Sequence, residues 1–123
     1  MSDNTRVFIV DDDQYIVKLL SVILEKNGFE IMGHAFNGKM AIEKLKLLYE
    51  KPDVIIMDYR MPIMNGIEAT IHLKEICNHS KIIFATADNE IREEALQIGV
   101  ADVISKPFEI DMLIKSIKKA SNF

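Results

Sequence analysis

Four short apolar stretches of the chain run into polar residues that could work together as one site. Val7-Phe8-Ile9-Val10 leads into Asp11-Asp12-Asp13, and Val54-Ile55-Ile56-Met57 leads into Asp58. Ile82-Ile83-Phe84-Ala85 leads into Thr86, and Asp102-Val103-Ile104-Ser105 into Lys106-Pro107. Carboxylates brought close together repel and raise one another's pKa unless a cation joins them. An oxygen-only set without His or Cys selects a hard cation such as Mg2+, which keeps several waters and needs few carboxylates. A lysine beside it supplies a mobile positive charge for one phosphoryl oxygen, and a threonine hydroxyl can donate to another. Carboxylate nucleophile, Mg2+, lysine and hydroxyl together are the requirements of phosphoryl transfer, where positioning and charge neutralisation do most of the catalysis.

The elements that must bring these residues together follow from the same pattern. The apolar runs read as parallel strands buried on both faces. Between them lie helical patterns. From Gln14 to about Asn27, apolar Ile16, Leu19, Leu20, Ile23 and Leu24 recur at helical spacing, with Asp13 as cap and Gly28 as stop. Glu30 to Ala35 is a further strand. A turn at Asn37-Gly38 precedes a helix carrying Ala41, Ile42, Leu45 and Leu48, which Pro52-Asp53 stops. Pro62 and Asn65-Gly66 mark a loop before a helix with Ala69, Leu73 and Ile76. Asp88 is placed to cap a fourth helix ending at Gly99, and the last helix, from about Glu109, should bury Met112, Leu113 and Ile117. Strands alternating with helices imply right-handed βαβ units and an α/β fold with a parallel sheet between helical layers. In such sheets the working site lies beyond the carboxyl ends of the strands.

Composition narrows the function classes. A length of 123 residues suits one domain. Fifteen Lys and Arg against nineteen Asp and Glu leave a net charge of −4, which argues against a nucleic-acid footprint. No apolar run approaches the ~18 residues of a membrane span. The lone Cys77 cannot form an internal disulfide, and the polar N-terminus resembles no secretory signal, so a cytoplasmic location is expected. Neither a GxGxxG nor a P-loop motif points to a nucleotide. His72 and His79 are two helical turns apart, roughly 10 Å, too far to share a metal. With His34 and Cys77 they are read as structural or surface residues. Asp53 and Asp102 begin strands rather than end them and are also read as structural.

The blocks VFIVDDD, VIIMDYRMPIMNG, FATAD and DVISKPF closely resemble those of response-regulator receiver domains of the CheY-like kind, the phosphoacceptor modules of two-component systems. The resemblance covers essentially the whole chain. It implies one receiver domain over residues 1–123 and a flavodoxin-like (βα)5 sandwich with strand order 2-1-3-4-5. It further implies that Asp58 is the phosphoacceptor and that Asp11 and Asp12 hold Mg2+, Asp12 directly and Asp11 through water. The backbone carbonyl of Arg60 matches the third protein ligand, Thr86 the hydroxyl that moves to the phosphoryl group, and Lys106 the lysine that neutralises it. A cis bond is expected between Lys106 and Pro107. The implied partner is a sensor histidine kinase or histidine phosphotransferase, docking on the first helix near Tyr15 and Val17. Helix 4, strand 5 and helix 5 would form the output face and serve any weak dimer; otherwise the chain would be a monomer. Such domains are phosphorylation switches with slow self-catalysed dephosphorylation rather than metabolic enzymes.

A haloacid-type phosphatase also starts from a strand followed by Asp-x-Asp, but Tyr15 stands where that family has Thr or Val. A pseudo-receiver acting only as a binding module is the other reading, against which Asp58, Thr86 and Lys106 all argue. One position departs from the receiver pattern. Val103 lies three residues before Lys106, where most receivers carry Tyr or Phe. A valine has one stiff torsion and cannot swing, so switching should run through Thr86 and the loop Ala87-Asp88-Asn89-Glu90. Arg60 and Asp88, two residues beyond Asp58 and Thr86, are expected to pair across the mouth of the site.

Overall fold

In a computed structural model that describes residues 4–122, five parallel strands form one sheet in the order β2-β1-β3-β4-β5. The strands are β1 (Arg6–Val10), β2 (Glu30–Ala35), β3 (Val54–Met57), β4 (Lys81–Thr86) and β5 (Asp102–Ser105). The helices between and after them are α1 (Gln14–Lys26), α2 (Gly38–Leu47), α3 (Gly66–Ile76), α4 (Arg92–Gln97) and α5 (Ile110–Ser121). A short 3-10 turn, Asn89–Ile91, runs directly into α4. The flavodoxin-like α/β architecture expected from the resemblance is therefore present. Among the described residues no helix is long and apolar enough to cross a membrane.

Because side chains alternate across a strand, each strand feeds two cores. Phe8, Val10, Ile55, Met57, Ile82, Phe84 and Val103 pack with Ala41, Leu45, Leu73 and Ala95 of α2, α3 and α4. Val7, Ile9, Val54, Ile56, Ile83, Ala85 and Ile104 pack with Val17, Leu20 and Leu24 of α1 and Leu113 and Ile117 of α5. This double burial is why the strands read as unbroken apolar runs.

The helix ends show which local signals acted. Asp13 caps α1 by accepting the Tyr15 and Ile16 amide hydrogens, and Gly28 and Gly99 follow helices with φ of +92° and +97°. Asn37-Gly38 is not a turn. Asn37 caps α2, accepting the Met40 N–H at 2.8 Å, and Gly38 is the first helical residue. That helix ends well before Pro52, with Lys51 Nζ donating to the carbonyls of Leu45 and Leu48 at 2.7 and 2.6 Å. Asn65 and Glu68 form a capping box at α3. Met112, expected in the core, is 54% exposed, because the buried face of that helix is centred on Leu113, Ser116 and Ile117. Cys77 is buried, and burial pushes its thiol above the ordinary range. Ile63, in the loop after β3, has φ of +73° and is largely exposed.

Gly66 ties that loop to the end of β3. Its amide donates to the Tyr59 carbonyl at 2.8 Å, and a Cβ here would lie 2.2 Å from the Asp58 carbonyl oxygen. Backbone cannot move aside as a flexible side chain can. Gly66→Ala should therefore cost about 1–3 kcal/mol or more in urea unfolding, as overpacking does. A variant as stable as wild type would show that the loop yields freely.

Candidate functional site

The parallel order puts the carboxyl ends of β1, β3, β4 and β5 on one edge, and that edge collects every residue singled out for chemistry. Continuing the side-chain alternation past the strand ends places Asp11, Asp58 and Lys106 on the α1/α5 side of the sheet. Thr86 falls on the opposite side. The contacts follow this division. Lys106 Nζ donates to Asp11 Oδ2 at 2.8 Å and lies 3.4 Å from Asp58 Oδ2. Thr86 instead uses its Oγ1 to accept the Asp88 amide hydrogen at 3.1 Å.

Asp11, Asp12 and Asp58 each offer a carboxylate oxygen within 4.8 Å of the others. Asp11 is buried and both its oxygens are engaged, Oδ1 by the Asp13 amide at 2.9 Å and Oδ2 by Lys106. Asp12 is exposed and makes no side-chain hydrogen bond among the described residues. Asp58 Oδ1 accepts the Tyr59 amide hydrogen at 2.8 Å. Three acidic side chains of oxygen donors alone, two of them near a single ammonium, form a set that a small hard cation fits.

Burial pushes the Asp58 carboxyl above its usual range; Lys106 opposes the shift and the Asp11 charge adds to it. Burial works to lower the Lys106 pKa, but the hydrogen bond to Asp11 and the charges of Asp58 and Asp11 outweigh it, so the ammonium is held above its ordinary range. Asp58, Arg60, Thr86, Ala87, Asp88 and Lys106 line one cavity of about 340 Å3. Arg60 and Asp88 form the expected ion pair across it. This contact overturns the reading of Asp88 as a helix cap. Its side chain makes no capping bond, because the carboxylate is held by Arg60 instead.

The Lys106-Pro107 bond is cis, as expected. Asp53 accepts the Arg6 amide hydrogen at 2.8 Å, and Asp102 accepts from Val103 N and Ser116 Oγ, both structural arrangements. Val17, expected at the surface near the acidic residues, is buried in the core, whereas Tyr15 is exposed. The His34 ring packs against Phe36, and His72 and His79 are exposed. Sequence reasoning missed two side-chain ties around the Thr86 loop, made by Asn89, Arg92 and Ser105. Only the strand register could have revealed them.

The crowding has a measurable consequence. A raised carboxyl pKa in the folded state means that ionised Asp58 destabilises the fold at pH values above the unfolded carboxylate range. Without divalent ions, Asp58→Asn should melt higher than wild type at pH 7. The gap should close as the pH falls to about 3, where both forms are neutral at this position. A lower melting temperature for the variant at pH 7 would mean that the Lys106 contact outweighs burial.

Comparison with known proteins gives this edge its context. The family model of the response regulator receiver domain matches residues 7–118. The chemotaxis protein CheY of Bacillus subtilis is 39% identical over 119 residues, covering 95% of this chain and 98% of that protein. Its counterpart in Thermotoga maritima is 40% identical over 118 residues, covering 94% and 97%. Among solved structures, the CheX-CheY-BeF3-Mg complex from Borrelia burgdorferi superposes with a TM-score of 0.86 at 28% identity, covering 93% of this chain and 87% of that one. The chain belongs to the response regulator receiver domains of two-component signalling, of the CheY-like kind.

Proposed function

We propose that Asp58 accepts a phosphoryl group from a phosphohistidine of a sensor kinase or histidine phosphotransferase, and that the domain signals through the resulting change of surface. The observation that carries this reading is the placing of Asp58 against both Lys106 and the Asp11-Asp12 pair. Oδ2 of Asp58 attacks phosphorus, the P–N bond breaks, and the imidazole nitrogen leaves with the bonding pair and takes up a proton. Lys106 stays beside the oxygens that gain charge, and the Thr86 hydroxyl turns to donate to one of them. Asp12, Asp58 and the Arg60 carbonyl would hold Mg2+, which would supply positive charge to neutralise the transferring phosphoryl group. Asp12 has free oxygens for direct ligation, whereas both oxygens of Asp11 are occupied, which supports a water-mediated role for Asp11.

The donor protein is placed on α1. Tyr15, Leu19 and Val22 form an exposed apolar stripe at helical spacing. Beside it, Ile16, Leu19, Leu20, Ile23, Pro107 and Phe108 line a groove of about 460 Å3 that reaches Lys106. A helix of the donor fits such a groove. The output face is assigned to α4, β5 and α5.

Acetyl phosphate with Mg2+ should add one phosphoryl group to the wild type and none to Asp58→Asn, read by intact mass. An equal adduct on the variant would sink the assignment. The Arg60-Asp88 pair is assigned a second role, shielding the acyl phosphate from water. An exposed ion pair contributes little stability, about 0–1 kcal/mol, yet both of its partners line the cavity at Asp58 and it joins the loops after β3 and β4 there. Arg60→Ala should therefore shorten the phosphoryl half-life several-fold; an unchanged or longer half-life rejects the role.

A further inference from the structure

The segment after Thr86 is fastened to β5 by two side-chain contacts that the phosphoacceptor chemistry does not require. Thr86 and Ser105 are register partners on neighbouring strands, so their side chains project to the same side of the sheet. Ser105 Oγ donates to Asn89 Oδ1. Arg92, at the start of α4, donates from Nη1 to the Val103 carbonyl at 2.8 Å. A third link lies within the segment, where the Asp88 amide is held by Thr86 Oγ1 at 3.1 Å. The helix that follows has only six residues and makes no side-chain cap, so it gains little order from itself.

We infer that Asn89, Ser105 and Arg92 are positioning residues: a polar strap that holds the 87–92 segment, and through it the Thr86 hydroxyl, in the state that has not yet met a phosphoryl group. The inference rests on Asp58 as phosphoacceptor and adds the element that opposes its switching. The Thr86 main chain is fixed by the ladder, its carbonyl accepting the Lys106 amide at 2.8 Å. Only its side chain and the residues after it are free to move. When the hydroxyl turns toward a phosphoryl oxygen, the Asp88 amide loses its acceptor. Asn89, the next residue, is drawn off Ser105, which stays with its strand. The valine at 103 has no ring to fill space vacated by the threonine, so in this chain the resistance to switching comes from polar contacts that water can replace. A contact made in only one of two states shifts their populations by its own free energy, and the apparent affinity of a ligand that binds the other state changes by up to the same factor.

Removing the strap should therefore tighten binding of the phosphoryl mimic beryllofluoride. In calorimetric titrations at saturating Mg2+, Ser105→Ala and Asn89→Ala should each bind it about two- to fivefold more tightly, the range set by one exposed neutral hydrogen bond. The double variant should gain no more than either single one, since both remove the same bond. Ser105→Thr keeps the hydroxyl and should bind as wild type does. Mg2+ affinity without beryllofluoride should not change; a parallel change would place the effect in the acidic cluster and overturn the strap. Unaltered or weaker beryllofluoride binding by both single variants, with normal binding by wild type, refutes the strap alone. If wild type itself takes up neither beryllofluoride nor a phosphoryl group from acetyl phosphate, the Asp58 reading fails and the strap with it.

Discussion

The contact of one ammonium with two carboxylates holds this sheet edge together. Asp11 and Asp58 end neighbouring strands, and burial makes the Asp58 charge costly. Lys106, arriving from β5 beyond the intervening β4, reaches both. Its reach demands that β5 sit two places from β3 and in register with β4. That order in turn depends on the helical crossovers that bury both faces. The Tyr59 amide on Asp58 and the Asp13 amide on Asp11 then hold the two carboxylates locally.

Strand alternation divides the edge into two sides with different roles. The side facing α1 and α5 gathers Asp11, Asp58 and Lys106, the lysine forming ion pairs with both acids. The side facing α3 and α4 gathers Thr86 and Ser105, whose hydroxyls bond to the loop above them. Under the proposed function, a reaction on the first side would reach the second through one side chain, that of Thr86, whose residue stands next to Lys106 across a single main-chain hydrogen bond. That reading would confine the chemistry to strand ends and leave the response to a short loop and a six-residue helix.

Much of this was readable from residue types. Strands buried on both faces are continuous apolar runs, so β1, β3, β4 and β5 and the polar residues ending them stood out. Caps were less secure. Asp13 caps α1 as expected, but Asp88 has the same residue type and local setting and does not cap, because a guanidinium distant in sequence competes for its carboxylate. The Arg60-Asp88 pair was accessible only through the assumption that the two loops face each other. Met112 was misjudged because helical spacing identifies an apolar stripe but not the angle at which the helix meets the sheet, and Val17, placed on a docking surface by the resemblance, points into the core instead. Asn89, Arg92 and Ser105 carry no sequence signal, since their contacts depend on the offset between β4 and β5.

The Arg60-Asp88 pair also links the domain to its medium. The Arg60 side chain is 77% exposed while Asp88 is 14% exposed, so one partner is bathed in solvent and the other is sheltered. Dissolved ions compete for such a guanidinium, and at physiological ionic strength charges are screened over about 8 Å. Carboxylates buried against Lys106 feel that screening far less. Rising ionic strength would therefore loosen the rim of the cavity while leaving its floor intact, and under the proposed function the lifetime of the acyl phosphate would follow the salt of the surroundings while the phosphoryl transfer itself would not.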